Sequence, residues 1–98
     1  MLLLAAIINQ LRHVHLQEGH SETVNSVDFN HDGSQIVSGS DDNTVEVWDA
    51  RTGDLVQDLN GHSGWVSSVG FNHDGTQIVS GSYDKTVKVW DAHTGTMV

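Results

Sequence analysis

An internal repeat constrains this chain more than any other feature of it. Laid 42 residues apart, residues 19–56 and 61–98 are identical at 27 of 38 positions. Self-similarity at a period of about 20 to 50 residues marks stacked supersecondary units, each unable to bury its apolar surface alone. Asn30-His31-Asp32-Gly33 recurs as Asn72-His73-Asp74-Gly75, Ser38-Gly39-Ser40 as Ser80-Gly81-Ser82, and the Thr44-Val45 to Trp48-Asp49 stretch as Thr86-Val87 to Trp90-Asp91. The eleven differences fall at 22, 23, 25, 28, 34, 41, 43, 46, 51, 54 and 55.

One period reads as four short strands. Residues 24–29 carry strand formers, with Val27 and Phe29 on one face, and end at Asp32-Gly33, a hairpin turn pair. Residues 35–40 make the second strand. Asp41-Asp42-Asn43 turns the chain into residues 44–48, whose β-branched and aromatic content suits a third. The Thr52-Gly53-Asp54 turn leads to a fourth over residues 55–59. The fold class is therefore all-β, with two four-stranded antiparallel sheets, residues 19–60 and 61–98, the second cut short in its last strand. Apolar side chains lie on both faces, so each sheet must be sandwiched between others like it.

Composition narrows the function. With 4 Lys+Arg against 13 Asp+Glu the net charge is -9, which repels phosphate backbones and anionic membrane surfaces and argues against nucleic acid and membrane as partners. There is no cysteine, hence no disulfide framework and no thiolate metal site. A chain of 98 residues buries only about two thirds of its unfolded surface, so it is marginal alone. Residues 2–8 are an unbroken apolar run of seven, far short of the roughly 20 needed to span a bilayer. The run lacks the basic flank and the cleavage pattern of a signal peptide, which leaves the cytoplasm as the default location. Its Leu and Ala content fits a short helix over residues 1–10 better than a strand, and it should be buried against something.

The Gly19-His20 and Gly61-His62 pairs, the Ser-Gly-Ser strands, and Trp48-Asp49 and Trp90-Asp91 at this spacing resemble the WD-repeat β-propeller family over roughly residues 11–98. The resemblance implies a buried tetrad in each blade: His20, Ser38, Asp42 and Trp48 in the first, His62, Ser80, Asp84 and Trp90 in the second. That assignment also makes physical sense. A buried imidazole and a buried carboxylate each need a partner, and an indole N–H can donate to a hydroxyl. Where the family usually has Ser-Pro-Asp-Gly in its first hairpin, this chain has Asn-His-Asp-Gly in both copies.

Propellers typically have four to eight blades, and this sequence supplies two. In the family a strand from one terminus completes a blade begun at the other. Residues 11–18 hold strand-like sequence where a fourth strand belongs, so one copy could complete the second blade of the next. This heterologous contact closes when the rotation fits. Even blade numbers follow: a homo-oligomer of four copies and eight blades is favoured, three copies and six blades come next. The alternative is a fragment, or a recently amplified piece, of a longer repeat protein with no ligand of its own.

Catalysis is poorly supported. Ser38, His20 and Asp42 could superficially compose a nucleophile, base and orienter, but the tetrad explains them with an inaccessible hydroxyl. There is no metal-site or phosphate-loop motif, and no cofactor is implied. His13 and His15, two apart on one face, would chelate a metal only weakly. An enzyme site at the ring pore would have only Asp28 and the turn histidines His31 and His73 to use. A non-catalytic protein-interaction scaffold fits better. In the family, partners dock on one rim, at positions occupied here by Thr23, Asn25 and Asp41, then by Trp65, Ser67 and Tyr83. All three pairs are among the eleven differences. Trp and Tyr are frequent interface anchors, and Asp41 with Glu22 favours a basic protein or peptide ligand.

Overall fold

The computed structural model describes residues 19–98. The helix expected over residues 1–10 and the exchanged strand over 11–18 lie outside them. The first sheet contains β1 (Val24–Phe29), β2 (Gln35–Ser40), β3 (Thr44–Asp49) and β4 (Leu55–Asn60), paired antiparallel in chain order. The second contains β5 (Val66–Phe71), β6 (Gln77–Ser82) and β7 (Val87–Asp91), also in chain order. A fourth strand only begins there: Met97 bridges Trp90, and the Val98 N–H donates to the Val89 carbonyl at 2.8 Å. The strands expected over 44–48 and 55–59 each run one residue further.

Turn chemistry fixes the register. Gly33 sits at φ 76°, a region that favours glycine, and its N–H donates to the Asn30 carbonyl at 3.1 Å. The Asn30 side-chain oxygen accepts the Gln35 N–H at 3.0 Å, and Asp32 accepts that of Ser34 at 3.0 Å. Asn72, Asp74 and Gly75 repeat this arrangement. A bulge between Val24 and Ser26 recurs between Val66 and Ser68. It re-aims the residue in between, Asn25 or Ser67.

The two sheets pack face to face like neighbouring blades. Val37, Val45, Val47 and Leu59 of the first form one core with Val66, Val69, Ile78 and Trp90 of the second. Burying a side chain of this size stabilises by about 1.5–3 kcal/mol, so this joint is the main apolar contribution to holding the two sheets together. Polar bonds rivet the same joint. The Asp28 carboxylate accepts the Phe71 N–H at 3.0 Å, and Ser26 accepts that of Val69 at 3.3 Å. Gln57 donates to the Ala92 carbonyl at 2.7 Å. A second cluster, Ile36, Trp48 and Ala50 with Val24 and Val27, lies on the other face of the first blade.

Candidate functional site

The loop before each blade delivers a histidine onto the sheet, where β2, β3 and the turn between them, or β6, β7 and theirs, supply its partners. His20 Nε2 lies 2.7 Å from Ser38 Oγ, and its Nδ1 lies 3.1 Å from Asp42. The Trp48 indole N–H donates to the same Ser38 oxygen at 2.9 Å. In the second blade His62 Nε2 is 2.7 Å from Ser80 Oγ, His62 Nδ1 is 2.9 Å from Asp84, and Trp90 donates to Ser80 at 2.9 Å. All eight residues named from the sequence thus meet in two separate fours.

One pattern of protons satisfies this network. The aspartate can only accept, so Nδ1 carries the histidine proton, and the bare Nε2 accepts from the serine hydroxyl, whose oxygen accepts from the indole. Burial holds the His20 pKa below its ordinary value despite the nearby Asp42 charge, consistent with a neutral ring. Burial alone would raise the Asp42 pKa, but bonds from the Thr44 hydroxyl, the Ser21 and Thr44 N–H groups and His20 hold it below the usual carboxylate range. The Thr86 hydroxyl does most to hold Asp84 low, with His62 and two backbone N–H groups adding to it.

Sequence reasoning missed Thr44, Thr86 and Glu46, and it gave no steric reason for Gly19 and Gly61. Thr44 donates to Asp42 at 2.6 Å and lies 3.1 Å from His20 Nδ1, and Thr86 takes the same place in the second blade. An Asp-x-Thr spacing present in both copies was the available signal. The glycine before each histidine is steric: a Cβ on Gly61 would lie 2.8 Å from Trp90, and one on Gly19 would overlap the Trp48 ring. Glu46 is 2% exposed on the tetrad face, where one carboxylate oxygen has no hydrogen-bond partner among the described residues and His20 Nε2 is 3.5 Å away. Burial, reinforced by Asp58 and Asp42, pushes its pKa up to about 8. Its counterpart is Lys88, so the repeat comparison marked the position as variable without showing that it is buried.

The rim residues divide into two groups. Asp41 N–H donates to the Thr23 carbonyl at 2.9 Å and Tyr83 N–H to that of Trp65 at 2.9 Å, so each pair is adjacent. Trp65 is 51% and Tyr83 69% exposed, with ring centroids 5.4 Å apart. Asn25 is committed elsewhere: its amide donates to Asp41 at 2.7 Å and across the joint to the Val66 carbonyl at 2.9 Å. Ser67 turns back to the Gly81 carbonyl at 3.3 Å. Among the six rim residues, Trp65 and Tyr83 are the exposed aromatic pair.

Of the residues weighed for chemistry, Ser38, His20 and Asp42 meet in the first tetrad, while Asp28, His31 and His73 lie elsewhere. Ser38 is fully buried, and Asp28 is occupied by the Phe71 N–H. His31 and His73 lie 6.2 Å apart at the far end of β1 and β5, and His31 lines an open polar cleft of about 320 Å³ with Asp32, Asp74 and His93. Among the described residues no three His, Asp or Glu side chains converge to hold a metal ion. No helix among them is long and apolar enough to cross a membrane.

Sheets packed as neighbouring blades, each carrying a His-Ser-Trp-Asp network under a Gly-His loop, define a propeller-repeat protein. The chain belongs to the WD-repeat family: the WD domain, G-beta repeat, matches residues 11–49 and 53–91. It is similar to the vegetative incompatibility protein HET-E-1 of Podospora anserina, 52% identical over 36 residues, covering 37% of this chain and 3% of the relative. It also resembles protein Mut11 of Chlamydomonas reinhardtii, 50% identical over 42 residues, covering 43% of this chain and 11% of the relative. Nuclear distribution protein PAC1 of Arthroderma otae is 49% identical over 41 residues, covering 42% and 9%. Each match spans about one repeat and a small part of the relative's length.

Proposed function

We propose that this chain is a protein-interaction scaffold that binds a basic peptide on the rim formed by Trp65 and Tyr83. The supporting observation is the exposure of this adjacent aromatic pair, 51% and 69%, on a chain of net charge -9. Rigid aromatic rings give large contact area with little rotamer entropy to lose, and the acidic surface favours a cationic ligand. An array of Lys/Arg-rich peptides, with Glu-rich peptides as controls, tests the reading. Binding should be confined to basic peptides and should weaken by more than about tenfold in Trp65→Ala, Tyr83→Ala, as truncation of interface anchors generally does. Equal binding by the double variant would refute it.

The same reading has copies assembling head to tail, with residues 11–16 completing the second blade of a neighbour. Four copies would give eight blades and three would give six, within the usual propeller range. A second reading, two blades of a longer array, draws support from the 3% to 11% of the relatives' length that the chain covers. Solution mass separates them: multiples of 10.7 kDa support the ring, and a poorly folded monomer supports the array.

A further inference from the structure

We propose that the open face of the second blade, formed by Val79, Gly81 and Val87, docks on Val24 and Val27 of a second copy of this chain. The inference rests on the head-to-tail reading above and assigns the surfaces that meet.

The same sheet face occurs twice, once covered and once bare. In the first blade Val37 and Val45 are 0% exposed, covered by the second blade. Their counterparts Val79 and Val87 are 44% and 72% exposed. Gly39 shows what the covered face requires. A Cβ there would lie 2.6 Å from Val66 Cγ1 and 2.9 Å from Val69 Cγ1, closer than real carbon atoms approach, so the joint closes only over a glycine. Among the described residues a Cβ at Gly81 would meet nothing within 4 Å, and its φ is not positive. Neither the packing of residues 19–98 nor the backbone conformation calls for a glycine at 81, but a docked partner would.

The partner must present what Val66 and Val69 present to Gly39. In this sequence Val24 and Val27 occupy the same places on β1. Val66 is 0% and Val69 8% exposed, whereas Val24 and Val27 are only half-buried. A second copy therefore carries a matching surface that its own second blade does not cover.

The joint between copies would be weaker than the joint within a chain. Asn25 and Asp28 rivet the internal joint through the Val66 carbonyl and the Phe71 N–H. Their counterparts are Ser67 and Gly70, which supply neither the amide nor the carboxylate. Assembly should therefore depend on concentration, while the two blades of one chain stay together.

The test is solution mass of the full chain by light scattering after size exclusion at two concentrations, for the native sequence and for Gly81→Val. The native chain should give a multiple of 10.7 kDa, and Gly81→Val should fall to 10.7 kDa with its strand circular dichroism retained. A native monomer overturns both this assignment and the head-to-tail reading. An assembled native chain with an equally assembled Gly81→Val variant overturns the face assignment alone. Val87→Asp covers the case in which Gly81→Val fails to fold, because Val87 is 72% exposed on the same open face. It too should fall to 10.7 kDa, and a folded Val87→Asp chain that assembles as the native one does overturns the assignment.

Discussion

Replacing Ser38 by alanine removes one oxygen and leaves two buried groups without a partner. The Trp48 indole N–H loses its acceptor at 2.9 Å, and His20 Nε2 loses its donor at 2.7 Å. Both residues are at most 2% exposed, so water cannot easily stand in. Each orphaned buried group costs about 1–3 kcal/mol, which puts Ser38→Ala at roughly 2–6 kcal/mol. Domains of this size have a total stability of only about 5–15 kcal/mol, so the loss would be a large fraction of it. Urea unfolding followed by tryptophan fluorescence reads the change, and with a slope of about 1–3 kcal/mol/M the midpoint should fall by at least about 0.7 M. A loss under about 0.5 kcal/mol would refute the account. A double-mutant cycle with Trp48→Phe tests the wiring: once the indole N–H is gone, Ser38→Ala orphans only His20 and should cost about 1 kcal/mol less. Strict additivity would show that the serine oxygen does not link the two rings.

Ser80→Ala should match Ser38→Ala within about 1 kcal/mol under the same assay, since the bonds to Ser80 are also 2.7 and 2.9 Å; a loss under about 0.5 kcal/mol would mean that the second tetrad contributes nothing. Glu46, raised to about 8 in the folded chain from an ordinary 4.5, favours the protonated form, so its stabilising effect is complete below pH 4.5 and is lost as pH rises through 8. Burial lowers the pKa of His20, which penalises folding only below its ordinary 6.5. Between pH 6.5 and 8 the native chain should therefore lose about 2 kcal/mol on account of Glu46, and Glu46→Gln should flatten that slope; unchanged slopes in urea titrations would refute it. Lys85 occupies the left-handed region at φ 74°, where a lysine side chain is strained and its counterpart is Asn43 at φ 75°. Lys85→Asn should raise stability by about 0.5–1 kcal/mol in thermal melts, and a drop would contradict the strain argument.

Much of this protein was legible in one sequence because its instructions are local and repeated. Asp32-Gly33 and Asp74-Gly75 specify hairpins through their own backbone preference, and alternating strand formers between turns place all seven strands within a residue or so of where they lie. The tetrad partners followed from the resemblance to the WD-repeat family, whose motif positions recur at one fixed place in each period.

What escaped depends on which surface a neighbour covers. Val37 and Val79 are the same residue in the same motif, yet one is 0% and the other 44% exposed, because the second blade lies on only one of them. Glu46 reads as a solvated charge until both its strand neighbours and its burial are known, and only then does its pKa move. Asn25 and Asp28 look like free polar variants, but they bond backbone groups 41 and 43 residues away across the joint. Strand propensity and turn chemistry act between near neighbours and can be read one residue at a time. Burial, desolvation and bonds across a joint belong to pairs of surfaces, so only the tertiary structure decided them.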